Sequence, residues 1–306
     1  MRILVTGATG FIGHHIALAL YRQGHILHLA TRHPNKIKAF QNKENIKIFE
    51  AALNEPKKLL EAAKNCDACI HIALGYGNTP LTMLENDTKA TITLLEIAEI
   101  VGLKKWIYTS STAAMGKFRN CMNESSCNLP LDLYGATKAA SEAYVLGCKS
   151  FLKNAGNMQR NIIRPGYTFG NPAFLNEGFT EPDMRFKNII SAAKNNRDIH
   201  IIKNDGTQFI HVSQLTELYL KVLESSYNEE IFLGLGANWI SWKEIALKAL
   251  ELCPYSKSKI IEKDLGWSKK PMLFSVQKIN DYFGLQFNAM PFIEEHLQYF
   301  LTHEET

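Results

Sequence analysis

A chain of 306 residues with 46% apolar and 21% charged residues has an ordinary globular composition. That excludes fibrous, disordered and membrane-spanning classes and leaves room for a large α/β domain with an appended lobe. The formal net charge of +4 comes from short groups such as Lys57-Lys58, Lys104-Lys105 and Lys269-Lys270 scattered along the chain, a solvated surface and not the basic stripe of a nucleic-acid binder. No apolar run approaches the roughly 18 residues of a membrane span. Gly7 and Gly10 come too early for the apolar region of a signal peptide, so a cytoplasmic protein is expected.

The elements alternate from the start. RILVT (Arg2 to Thr6) is a β-branched run ending in glycines; the helical pattern Phe11 to Arg22 follows, then the strand HILHLAT. Further strands are expected at Ile46 to Phe49, Ala68 to Ala73, Trp106 to Thr109 and Asn161 to Arg164, with helices at Lys57 to Lys64, Leu81 to Val101 and Tyr134 to Asn154. Apolar strands joined by helices build a parallel sheet covered on both faces, so the fold class is α/β and doubly wound. Six irregularly spaced cysteines give no disulfide framework. Cys66 and Cys69 have metal-like spacing beside His71, but strand alternation would aim them at opposite faces, and no second pair completes a site.

After Pro165 the rhythm changes. Gly166 to Ile199 reads as loop-rich, with Gly170, Pro172, Gly178 and Pro182; IIKNDG and helices at Ser213 to Glu224, Ser241 to Leu252, Ser275 to Phe283 and Pro291 to Leu301 follow. The expected division is a dinucleotide-binding domain over 1–165, with 209–235 returning to it, and a substrate lobe from 166–208 and 236–306.

Three motifs carry chemistry. In TGATGFIG, Gly7 permits the tight turn, Gly10 lets the backbone approach a pyrophosphate, and Gly13 lets helix and strand pack closely. The helix N-terminus then offers N–H groups to phosphate. In YGATK, Tyr134 and Lys138 stand four apart on one helical face. A phenol of ordinary pKa about 10 is a poor base, and a neighbouring ammonium favours the phenolate. YTSSTAAMG (Tyr108 to Gly116) ends a sheet strand, where an open α/β sheet binds its ligands.

With those motifs in that order, the chain resembles the extended short-chain dehydrogenase/reductase family, also known as the NAD-dependent epimerase/dehydratase family. The resemblance covers nearly the whole chain. It includes CDACIHIA, an NxxGT-like helix start read at Asn86 and Thr91 with Ala90 in place of glycine, RPGYTFG (Arg164 to Gly170) and HVSQL (His211 to Leu215). It implies a Rossmann fold with a smaller C-terminal substrate lobe. Counting five back from Gly116 gives Ser111 as the catalytic hydroxyl, with Thr112 the weaker alternative. Tyr134 would be the acid/base, and Lys138 would hold the nicotinamide ribose. The cofactor would run along Gly7, Thr9, Gly10, Phe11, Ile12 and Gly13, past Thr31, Arg32, Lys36 and Leu53, to Ala73, Leu74, Thr109, Tyr134, Lys138 and Pro165. Substrate would touch Gly75, Tyr76, Ser111, Thr112 and Tyr167. No metal is implied, and the family commonly dimerises through the helices corresponding to Leu81 to Val101 and Tyr134 to Asn154.

Departures from the family pattern sharpen the expectation. Seven residues after Gly24, where an acidic ribose ligand is usual, stands Thr31, followed by Arg32 with Lys36 nearby. A neutral hydroxyl and a planar cation suit a 2′-phosphate, so NADP is preferred, with NAD possible. The arginine that grips the diphosphate of nucleotide sugars is missing from Gly206 to His211, a shortened stretch, and Ser213-Gln214 replaces an acidic pair. Arg185 and Arg197 are the candidate substitutes. Ala52 and Leu53 stand where an acidic adenine contact is usual. His14-His15 read as packing residues, and Trp239, Trp242 and Trp267 as lobe core. The primary reading is an NAD(P)-dependent oxidoreductase acting on a carbonyl or alcohol of a small-molecule substrate. The alternatives are a nucleotide-sugar epimerase or dehydratase with tightly bound NAD(P), and a non-catalytic cofactor sensor.

Overall fold

β1 (Arg2–Thr6) is buried along almost its whole length and is an interior strand of a seven-stranded sheet. The computed structural model describes residues 1–153, 155–174 and 183–303; Asn154, Gly178 and Pro182 lie outside them. β1 is flanked by β2 (Ile26–Thr31) and β4 (Ala68–His71), in a sheet ordered Glu230–Gly234, β6 (Gln159–Pro165), β5 (Lys105–Thr109), β4, β1, β2, β3 (Ile46–Glu50). Every pairing in it is parallel. The strand order reverses between β1 and β4, the switch point beyond whose carboxyl ends an open sheet of this kind holds its ligand.

Burial on both faces explains the uninterrupted apolar strands. On one side α1 (Phe11–Arg22), Val212–Glu224 and Gln277–Phe283 pack around Ile3, Val5, Leu27 and Phe232. On the other, α2 (Pro56–Ala63), α4 (Lys89–Val101) and α5 (Leu133–Gly147) cover Leu4, Cys69, Trp106 and Ile162. A third core, around Phe169, Phe186, Phe209 and Trp242, joins Arg185–Lys194, Trp242–Leu252 and Met290–Thr302. No helix among the described residues is long and apolar enough to cross a membrane.

Four features differ from the sequence expectation. The segment read as loop-rich contains the helix Arg185–Lys194, whose Phe186, Ile189, Ile190 and Ala193 form one buried face; the Pro- and Gly-containing run before it hid that period. The helix expected from Leu81 to Val101 is α3 (Pro80–Met83), a π turn at Leu84–Thr88, then α4. The helix expected to reach Asn154 ends at Gly147 and continues as a 3-10 turn, Cys148–Ser150. Cys66 and Cys69 do not face opposite ways, because Cys66 precedes the strand; both pack into the same core, with the Cys66 thiol 3.4 Å from His28 Nδ1.

Candidate active site

The turn Gly7–Gly10 and the start of α1 form one wall of a cleft of about 620 Å3 at the carboxyl ends of the central strands. Gly7 has φ +82°, and a Cβ there would sit 2.6 Å from the backbone N of Ala73; the ends of β1 and β4 meet at that point. A Cβ on Gly13 would lie 2.1 Å from Gly7 O, whereas one on Gly10 would make only an ordinary 3.4 Å contact with the same oxygen. Gly10 caps α1 without a side-chain hydrogen bond. The first intrahelical bond runs from His14 N to Gly10 O, so the N–H groups of Phe11, Ile12 and Gly13 have no intrahelical partner. An uncapped helix N-terminus lining a cleft fits the pyrophosphate of a dinucleotide.

Of the residues assigned from the sequence to cofactor or substrate, all but two line this cleft. Lys36 does not: it belongs to the 3-10 turn Pro34–Lys36, which follows the lining residue His33. Thr112 does not either, because Ser111 is extended and caps the 3-10 turn Thr112–Met115, which leads away from the cleft. That leaves Ser111 as the hydroxyl that faces in. Thr31 is buried and its hydroxyl accepts from His33 N at 3.0 Å. Arg32 is exposed at the cleft with no acidic partner among the described residues. Leu53 and Ala52 line the same end, and Gly75 and Tyr76 the other.

Asp132 caps α5 through Gly135 N at 2.6 Å and so fixes the first turn, which carries Tyr134. Burial holds the Tyr134 phenol above its ordinary pKa; a hydrogen bond with Ser111 opposes this, and the charges of Asp87 and Asp132 add to it. Lys138 is 3% exposed, its Nζ 5.9 Å from the centre of the Tyr134 ring and 5.1 Å from that of Tyr108. Burial lowers its pKa, and the carboxylates of Asp87 and Glu142 counter that.

Sequence reasoning missed Asp87 by one residue. The NxxGT-like start was read at Asn86, but the residue four before Thr91 is Asp87, and the π turn points it inward. It is fully buried, accepts from Gly75 N at 3.1 Å and lies 3.9 Å from Lys138 Nζ. Asn86 stays at the cleft wall and donates to Tyr76 O. Also unforeseen are Ser110, Thr168 and Asp183 in the lining; Asp183 lies within the stretch read as loop-rich, which offers no period from which to place it.

The other conspicuous residues have structural occupations. His14 packs between Phe40 and Phe174 and is held down to about pKa 4 by burial; His15 bonds Asn171 O. Trp242 is lobe core, Trp267 is 47% exposed, and none of the three tryptophans lines the cleft. Gln208 cannot serve as a diphosphate ligand, because its amide bridges Gly236 O, Phe274 O and Phe274 N. Gln214 accepts from His211 N and donates to Asn288 O. Arg197 is exposed and bonds Ser191, away from the cleft. Arg185 is paired with Asp183 and Asp205 and lies 4.1 Å above the Trp242 ring; it meets the lining at Asp183 and at Tyr167, whose ring centre is 5.3 Å from its guanidinium.

Comparison with known proteins gives a consistent set. The profile of the NAD dependent epimerase/dehydratase family matches residues 3–233. GDP-mannose 3,5-epimerase 1 of Oryza sativa subsp. japonica is 24% identical over 265 residues, covering 80% of this chain and 67% of that one. UDP-N-acetyl-alpha-D-glucosaminuronate decarboxylase of Bacillus cytotoxicus is 26% identical over 276 residues, covering 85% and 82%. Among solved structures, UDP-glucuronic acid 4-epimerase from Bacillus cereus in complex with NAD superposes with a TM-score of 0.79 at 21% identity over 99% of both chains. UDP-N-acetylglucosamine 4-epimerase from Methanobrevibacter ruminantium gives a TM-score of 0.79 at 24% identity over 98% of both.

Proposed function

Since the chain belongs to the NAD dependent epimerase/dehydratase family, we propose that it is an enzyme that transiently oxidises a secondary alcohol of a nucleoside-diphosphate sugar and returns the hydride before release. The observation that carries this is the convergence of Ser111, Tyr134 and Lys138 at the end of the cleft away from Arg32. A nicotinamide cofactor held in the cleft would supply the hydride chemistry. Tyr134 takes the proton of the substrate hydroxyl and gives it back, Ser111 hydrogen-bonds the same oxygen, and Lys138 binds the ribose hydroxyls. The lobe formed by 166–208 and 236–306 covers the substrate, reaching the cleft through Tyr167, Thr168 and Asp183. The activities of the related epimerases and decarboxylase support this substrate class. Incubation with oxidised dinucleotide and a panel of nucleoside-diphosphate sugars tests it: an isomerised or dehydrated sugar should form without reduced cofactor accumulating.

One observation favours a second reading, net oxidation or reduction of a smaller carbonyl or alcohol. No arginine stands in Gly206 to His211, and Gln208 there is committed to backbone groups. Reduced cofactor accumulating in step with consumed substrate would select this reading over the first.

Arg32 supports NADP as the cofactor, since an unpaired guanidinium beside a neutral Thr31 suits a 2′-phosphate. Arg32→Ala should weaken NADP binding by about 10- to 100-fold, the usual worth of a hydrogen bond to a charged group, and leave NAD binding nearly unchanged. Calorimetric titration of both dinucleotides decides it; tighter NAD binding in the native protein overturns the preference.

A homodimer is also expected. Leu81, Leu84, Tyr144 and Phe151 are exposed on the outer sides of α3, the π turn, α5 and the turn that follows it, an apolar face suited to a second copy. The solution mass should be twice that of the 34.6 kDa chain; a monomer at micromolar concentration removes this expectation.

A further inference from the structure

Behind the cleft, the π turn Leu84–Thr88 places a carboxylate where no water reaches it. Wide turns of this type re-aim side chains at functional sites, and here the result is Asp87, 0% exposed. Its Oδ1 accepts from Gly75 N, the backbone of the cleft wall. Its Oδ2 has no hydrogen-bond partner and faces Lys138 Nζ at 3.9 Å. Gly75 packs directly on the turn, so closely that a Cβ there would sit 1.9 Å from Asn86 O.

The remaining charges around this point are accounted for. Glu142, one turn along α5 from Lys138, is held by both Nε and Nη2 of Arg164 at 2.8 and 2.7 Å. Asp132 is taken up by the cap of α5. His71 from β4 is bonded on both ring nitrogens by Thr6 and Thr91, and burial keeps it neutral, down to about pKa 3. Tyr108 from β5 lies under the ammonium, and Tyr219 from the helix Val212–Glu224 bonds Thr109. Asp87 is therefore the carboxylate nearest Lys138 that no other cation engages.

We propose that Asp87 is a positioning residue of this site: anchored by Gly75, it holds the Lys138 ammonium on the helix side of the Tyr134 ring and sets the pH at which Tyr134 exchanges its proton. The ammonium alone would favour the phenolate, and a buried carboxylate beside it offsets that pull. Tyr134 then gives up its proton only at higher pH than an unopposed lysine would allow. The proposal rests on the assignment of Tyr134 as acid/base.

The test is a tyrosinate absorbance titration that needs no substrate. Subtracting the curve of Tyr134→Phe isolates Tyr134 in the native background, and the same subtraction is made in Asp87→Asn, which keeps an acceptor for Gly75 N. The Tyr134 transition should move to lower pH in Asp87→Asn, so that the phenolate fraction on the rising limb increases severalfold. Asp87→Glu, which keeps the charge, should stay near the native curve. If Asp87→Asn does not fold, Asp87→Ser carries the same comparison. Superimposable Tyr134 transitions in the native and neutral variants would overturn the proposal. Turnover surviving in Tyr134→Phe would instead overturn the acid/base assignment, so the two failures are distinguishable.

Discussion

Replacing Tyr134 by Phe should lower turnover by roughly 10²–10⁴-fold, the usual contribution of a positioned acid or base. Dinucleotide affinity and melting temperature should stay near native values. The substitution removes one hydroxyl and keeps the ring, which lies 5.9 Å from Lys138 Nζ on a helix whose first turn is fixed by Asp132. The hydroxyl's bond to Ser111 is lost, but the serine keeps Ala113 N as a donor at 3.1 Å. The effect should therefore fall on kcat and leave KM for the cofactor nearly unchanged. Direct comparison of kcat and dinucleotide Kd in the two proteins checks this. A variant that retains a tenth or more of native turnover, roughly 1.4 kcal/mol or less of barrier, would place the proton transfer elsewhere.

The readability of this site from the sequence follows from which of its parts are local. The turn after β1 was legible because Gly7 and Gly13 are demanded by close backbone approach: a Cβ added at either would sit 2.6 or 2.1 Å from a backbone atom. The Tyr134 and Lys138 pair was legible because helical periodicity fixes their common face. The inward aim of Asp87 was not. It comes from a single π turn inside an otherwise regular amphipathic helix, and a run such as LENDT carries no sequence mark of that turn. Lys36 lies outside the cleft lining although it is near in sequence, because proximity in sequence does not fix where the 3-10 turn Pro34–Lys36 carries the chain. Asp183 reaches the cleft from a segment distant in sequence, so its placement depends on tertiary packing that no local pattern records.

Gly10 at the start of α1 and Gly13 within it should respond to alanine differently. At Gly13 the added methyl meets the carbonyl oxygen of Gly7 at 2.1 Å, with Gly7 C at 2.7 Å. Both are backbone atoms of a turn already held at φ +82°, so no side chain can yield. Helix α1 must then move off β1, and overpacking of this kind costs about 1–3 kcal/mol or more. Gly13→Ala should therefore melt at a clearly lower temperature and lose dinucleotide binding together with stability, because the same movement withdraws the N–H groups of Phe11 and Ile12 from the cleft. At Gly10 the backbone is extended, with φ −90° and ψ 165°, and the nearest atom to an added Cβ is 3.4 Å away. Gly10→Ala should keep its stability within about 0.5 kcal/mol. Its methyl would stand at the rim of the cleft, in the approach reserved for the pyrophosphate, and dinucleotide affinity should fall by at least about tenfold, the equivalent of 1.4 kcal/mol. Thermal melts paired with dinucleotide titrations separate the two effects. Equal affinity in Gly10→Ala and the native protein would mean that the pyrophosphate does not lie against this turn.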